Sequence, residues 1–192
     1  MSRTERAPLA MEHALLGFLR RKPMHGYEIY QRVTEATGLW LVWRMKQSQL
    51  YALLARLENE GYISATIHQQ DSRPPRKMLR LTRAGRERFD HWLRSPVPHG
   101  RELRQDFLGK FYFALQEDPA VAAELIARQR EACHTWRTDM RKLKANEEEA
   151  RAGGEQPSFV ALVRDFRIGQ ISAMLEWLDS CERMLTPIHG SV

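Results

Sequence analysis

QSQLYALLARLENEGYISATIHQQDSRPPRKMLRLT, residues 47–82, carries the strongest structural signal in the chain. Leu50, Leu53, Leu54 and Leu57 recur at three- and four-residue spacing, which lines them along one face of a helix. Gln47, Gln49, Ala52, Arg56 and Asn59 fall on the opposite, reachable side. Ser48 suits the helix cap, and Gly61 suits the stop, where a positive φ costs glycine little. Two β-rich runs follow, residues 62–69 and 77–82, joined by DSRPPR. Two prolines keep that tip open and stiff, and Arg73, Arg76 and Lys77 make it positive. A short helix with an amide-rich leading end beside a cationic hairpin is the pattern of a winged helix-turn-helix. Such a helix enters the major groove of double-stranded DNA while the wing grips the flanking backbone or minor groove. The expected DNA contacts are therefore Lys46, Gln47, Ser48, Gln49, Tyr51 and Arg56 on the helix, with Arg73, Arg76 and Lys77 on the wing.

Charge supports a polyanion partner. Residues 1–94 hold 17 Lys and Arg against 9 Asp and Glu, a net of +8. Residues 95–192 hold 13 against 15, a net of −2. The positive excess sits wholly in the half that contains the reader, mostly as arginine in the wing and just after it.

Upstream of the reader, residues 9–21 form an apolar helix ended by Lys22-Pro23, and a second helix runs from His25-Gly26 to Gly38. LWLVWR, residues 39–44, is too short and too apolar for a helix with a solvent face, and is expected to be a strand joining the hairpin. TRAGRERFDHWLR reads as a further helix opening at Thr82. SPVPHG, residues 95–100, has the composition of a linker. This divides the chain into a winged helix-turn-helix domain over 1–94 and a helical domain over 101–192. The expected fold is thus mainly α, with one small antiparallel β-wing.

In the second half, residues 101–116 are helical, and a long charged helix runs from Ala120 to about Ala150, ended by Ala152-Gly153-Gly154. The last helix, 158–185, carries Val163, Ile171, Met174, Leu178, Cys181 and Leu185 in one stripe. A second stripe beside it makes the apolar face wide. Three helices bury such a face poorly, so these residues are expected to form the seam of a homodimer. The alternative is an intramolecular bundle in which the stripes are core.

The order ALLGFLRRKPMHGYEIYQRV, SQLYALLARLENEGYI and RLTRAGRERF resembles the PadR family of bacterial transcriptional regulators. ELRQDFLGKFYFAL and RIGQISAMLEWLDSCERML resemble the C-terminal helical domain of its longer members. The resemblance implies a homodimeric winged-helix repressor that binds an inverted repeat and is released by an effector. One departure is KMLRLT, where the family often carries a tyrosine shortly before the LT; here Met78 and Leu79 stand there.

Other chemistries find little support. GxSxG, GxGxxG, Walker A, HExxH and CxxC patterns are absent, so neither an enzyme nor a cofactor or metal site is expected. MSRTERAP lacks the apolar core of a signal peptide, and no apolar run approaches the roughly 20 residues of a membrane span. A cytoplasmic protein without a membrane partner is expected. Trp40, Trp43, Phe107 and Phe111, near the junction of the halves, suit a pocket for a small aromatic or otherwise apolar effector, and serve equally well as domain glue. A winged-helix protein–protein module and a small-molecule binding protein using the helical half remain the alternative functions.

Overall fold

The computed structural model describes residues 10–36, 38–70, 73–150 and 158–185, with backbone alone at 35–36, 68–70, 73–76 and 146–150. The helix stop at 152–154 and the N-terminal MSRTERAP lie outside the described residues, as do the side chains of Arg73 and Arg76. The elements are α1 (Ala10–Phe18), β1 (Met24–His25), α2 (Gly26–Gln31), α3 (Gln47–Asn59), β2 (Ile63–Gln70), β3 (Arg73–Leu81), α4 (Arg83–Arg94), α5 (Leu108–Glu117), α6 (Pro119–Ala150) and α7 (Phe159–Leu185). This is a mainly α fold with one three-stranded antiparallel sheet in the order β1-β3-β2.

α1 is the hub. Every residue from Glu12 to Phe18 is buried, polar ones included. It touches α3, α4 and α5, so a single core runs from the winged helix into the helical half. Phe18 and Phe113 meet edge to face at 5.3 Å, and Phe89 and Phe113 at 5.5 Å, which makes α5 part of that core.

In α3, Leu50, Leu54 and Leu57 are buried, as the spacing requires. The cap differs from expectation. Lys46 is the extended N-cap residue, and the Gln49 carbonyl oxygen accepts from the Lys46 N–H at 3.0 Å, so Ser48 lies inside the first turn. Gly61, at φ 76°, ends the helix and lets the Tyr62 N–H reach back to the Leu57 carbonyl at 2.9 Å. The hairpin then pairs Ile63 with Leu81 and Ala65 with Leu79, with an irregularity between His68 and Gln70. Leu79 is in the core and Met78 half-buried, so the departure at KMLRLT is absorbed by ordinary packing.

The third strand is not residues 39–44. β1, only Met24 and His25, takes that place by pairing with Leu79 and Met78. Leu39–Leu41 is instead one tight 3₁₀ turn, whose local bonds (Leu41 N–H to Gly38, Val42 and Trp43 N–H to Leu39) use the groups a sheet would need. Burial agrees, because Leu39 and Trp43 are inside while Trp40 and Leu41 face out, a spacing of four rather than two.

The step from wing to α4 is tightly built. The Thr82 hydroxyl accepts from the Gly85 N–H at 3.0 Å and donates to the Gly61 carbonyl at 2.7 Å, tying the helix start to the end of α3. Residues 95–100 are better anchored than a linker's composition suggests. Val97 is fully buried, and its N–H donates to Gln129 of α6 at 2.8 Å. Beyond it, turns at Gly100–Glu102 and Leu103–Phe107 lead into α5. α6 is 32 residues long, about 48 Å at the usual helical rise. It pairs with α7 along Arg130, which reaches Asp179 at 3.1 Å and Glu182 at 2.6 Å.

At Gly85 the fit is close enough to test. A Cβ added there would stand 2.0 Å from the Tyr62 carbonyl oxygen, which is backbone and cannot rotate away. Gly85→Ala should cost about 3 kcal/mol and lower Tm by ~6–12 °C in thermal unfolding. An unchanged Tm would contradict the contact between α4 and the hairpin.

Candidate nucleic-acid interface

Lys46, Gln47, Ser48, Gln49 and Tyr51 are all exposed at the leading end of α3. Their roles differ. Gln47 and Ser48 present their side chains outward, whereas Gln49 has its oxygen engaged with the Lys46 N–H and keeps its amide NH₂ for a partner. Tyr51 leans on Gly26 at the start of α2, where a Cβ would come within 2.7 Å of its ring. It is nevertheless 44 % exposed, so its hydroxyl edge stays accessible.

Arg56 has a different position from the one expected of a DNA contact. Its guanidinium reaches Glu60 at 2.8 Å and the buried Glu12 of α1 at 3.0 Å. The hydrogen bond to Glu60, then the charge of Glu12, hold it more firmly protonated than usual. A cation is needed there because Glu12 is almost fully buried, and α3 supplies it.

The structure adds residues that spacing alone did not flag. A groove of about 630 Å³ lies where α2, α3 and β3 meet, with His25, Tyr27, Tyr51, Glu58, Lys77 and Leu79 in its walls. Lys77 and Glu58 form an ion pair across it, and His25 Nδ1 lies 3.2 Å from the Lys77 carbonyl. His25, Gly26, Tyr27 and Glu28, consecutive in the sequence, edge the groove. The Glu58–Lys77 pair joins residues 19 apart and left no local signal.

Three of the four residues expected around an effector do collect at the junction. Phe107 and Phe111 stack at 6.0 Å, and both meet Trp177 of α7 edge to face, at 6.0 and 5.8 Å. Trp43 is buried over Gly109, two residues from each of those phenylalanines. Trp40 is half-exposed and makes no ring contact among the described residues. Next to this cluster runs a polar layer. Arg88 Nε donates to His13 at 3.2 Å, His13 stacks on Trp92 at 5.4 Å, and Trp92 Nε1 donates to Asp106 at 2.7 Å. Lys110, almost wholly buried, donates to the Ser95 carbonyl at 2.8 Å and stands 3.5 Å from Asp106. Burial pushes its ammonium down, while Asp106 pulls the other way.

The expected dimer seam turns inward. Ile171, Leu178 and Cys181 are already buried within the single chain, where α7 packs on α6, and Val163, Met174 and Leu185 are half-buried. α7 packs on α6, and Trp177 on the phenylalanines of the junction, so the apolar residues left uncovered lie at the N-terminal end of α7. Phe159, Val160, Leu162 and Phe166 are 57–79 % exposed. Among the described residues no helix is long and apolar enough to cross a membrane, and no cluster of His, Cys, Asp or Glu could hold a metal ion.

A three-helix winged core with an exposed reader helix, continued by a long helical hairpin, defines a winged-helix regulator. Comparison with known proteins agrees. Residues 15–91 match the transcriptional regulator PadR-like family, and residues 103–186 match the family described as virulence activator alpha C-term. The negative transcriptional regulator PadR of Bacillus subtilis is 27 % identical over 181 residues, covering 91 % of this chain and 97 % of that protein. Its crystal structure with operator DNA is similar at 24 % identity and a TM-score of 0.45, covering 93 % of this chain and 99 % of the other. Its crystal structure with p-coumaric acid is similar at 25 % identity and a TM-score of 0.39, covering 92 % and 99 %. The chain thus carries a PadR-like regulator domain over residues 15–91, followed over 103–186 by a region similar to the virulence activator alpha C-term family.

Buried Lys110 makes stability depend on pH. Its pKa is lower folded than the ordinary 10.5 it regains on unfolding. Below the folded value the native state carries the whole desolvation cost, and that cost fades as pH rises toward 10.5. The stability of the native sequence relative to Lys110→Met should therefore rise over that window in urea unfolding at stepped pH. A pH-independent difference would show that the ammonium is not desolvated.

Proposed function

We propose that this protein is a cytoplasmic homodimeric repressor that binds an inverted-repeat operator in double-stranded DNA and is released by a small, largely apolar effector. The observation that carries this reading is the exposed leading end of α3, with Lys46, Gln47, Ser48, Gln49 and Tyr51 in solvent, in the half of net charge +8 that also carries the wing. Gln47 and the Gln49 amide suit base edges in the major groove, while Ser48 and the first helical N–H groups suit phosphate. Lys77, with Arg73 and Arg76 of the same strand, supplies attraction that does not depend on base sequence. The Bacillus subtilis relative is named a negative regulator, which favours repression here.

Residues 1–94 would read DNA and 101–192 would assemble the dimer, with 95–100 as the joint. The uncovered stripe of α7 (Phe159, Leu162, Phe166) suits the partner chain better than Leu178 does, since Leu178 is already fully buried. Trp43, Phe107 and Phe111 mark the junction where an aromatic effector would act. To release DNA it must favour a spacing of the two reader helices other than the roughly 34 Å of one DNA turn, because equal affinity for both states shifts nothing.

Replacing Arg73, Arg76 and Lys77 together with Ala should weaken binding to every duplex and lower the slope of log affinity against log salt by about one unit for each phosphate left unneutralised. Anisotropy titrations over a salt series check this, and an unchanged slope would leave the wing without a DNA role. Assembly separates two substitutions. Leu162→Lys should give a folded monomer in analytical ultracentrifugation with weakened operator binding, because it charges the uncovered stripe. Leu178→Lys should unfold the chain instead, since it buries an unpaired charge. A folded Leu162→Lys dimer would move the interface off this stripe.

A further inference from the structure

We infer that Glu58 restrains DNA binding: it holds Lys77 in the crease between α3 and the wing, and an operator phosphate must take its place. The inference rests on the DNA-reading function proposed above. A helix seated in the major groove and a wing on the flanking backbone have one sugar–phosphate strand between them, so that strand must run along the crease. The crease here is the groove of about 630 Å³, and its side walls carry Glu58 from the last turns of α3 and Lys77 from β3.

The backbone of Lys77 is fixed. β1 pairs with the neighbouring Met78, and His25 lies against the Lys77 carbonyl. Its ammonium is bound to the Glu58 carboxylate, yet the side chain is 54 % exposed and so within reach of an incoming anion. Glu28, the other acid of the groove, is answered from its own side by Lys22 at 2.9 Å and Arg32 at 3.3 Å. Glu58 has no second cation among the described residues. A phosphate in the crease therefore competes with Glu58 for a single ammonium. The wing loses one effective charge off DNA and regains it by exchanging partners. An ion pair this exposed adds little to folding stability, so the weight of Glu58 falls on the availability of Lys77. Tyr27 and Tyr51, 56 % and 44 % exposed, offer phenolic hydroxyls on the same rim.

The experiment uses the full chain and a mixed-sequence duplex, whose binding reports phosphate contacts without base readout. Glu58→Gln should bind that duplex about five- to tenfold more tightly at about 0.1 M salt, with a salt slope steeper by about one unit. Glu58→Ala should rank the same way and covers the case in which the glutamine variant misfolds. In a Lys77→Ala background the gain should vanish, because Glu58 acts through that ammonium. A residue that merely supported the fold would weaken binding when replaced. Unchanged or weaker binding by both variants overturns the inference, and so does an equal gain without Lys77, which would mean general repulsion. If the native chain binds no duplex at any salt, the DNA-reading function itself is contradicted, and the role of Glu58 goes with it.

Discussion

A buried carboxylate needs a cation, and in this chain Glu12 of α1 draws Arg56 out of the reader helix to meet that need. Much of the arrangement follows. Arg56 lies in the C-terminal half of α3, so the pair pins the helix to α1 while its leading end stays in solvent. The neighbouring residue of α1, His13, stacks on Trp92 of α4, whose indole is held by Asp106 just before α5. Consecutive residues of one buried helix thus position the DNA-reading element and the helical half. A rigid reader is useful to a sequence-specific protein, because register on DNA depends on side chains held within a fraction of an ångström.

The same hub packs the two halves into one core. Val97 and Ser95 are bonded to α6 and α5, and the phenylalanines of α1, α4 and α5 share one cluster. The Phe107–Phe111–Trp177 cluster lies beside the Asp106 and Lys110 layer, which meets α1 where Trp92 stacks on His13. α7 is divided along its length. Its C-terminal part is buried inside the chain, and its N-terminal end, from Phe159 to Phe166, keeps apolar side chains uncovered.

What was legible in the sequence followed local periodicity. The leucines of α3, the alternation of the hairpin and the Gly61 stop each depend on neighbours within a few residues, so spacing suffices. Residues 39–44 misled because a short apolar run looks alike as strand and as tight turn. Leu39 and Trp43 point inward together only once α5 is present to receive the indole. A two-residue strand such as Met24–His25 has no periodicity to detect. The stripe of α7 was visible, but a stripe does not name its partner, and Leu178 is already buried within the single chain. Among the site residues, the exposure of Lys46, Gln47, Ser48, Gln49 and Tyr51 was readable. The engagement of Arg56 with Glu12 and of Lys77 with Glu58 was not, since each pair is brought together by the fold alone.

The proposed function requires two copies of α3, held at a fixed spacing, to read two halves of one operator. A nuclease footprint of the native protein on the DNA upstream of its own gene is the sharpest test. Two protected half-sites in inverted orientation are expected, their centres about 34 Å apart or a whole multiple of that turn. Protection of a single isolated half-site, or uniform protection without sequence preference, would contradict that requirement.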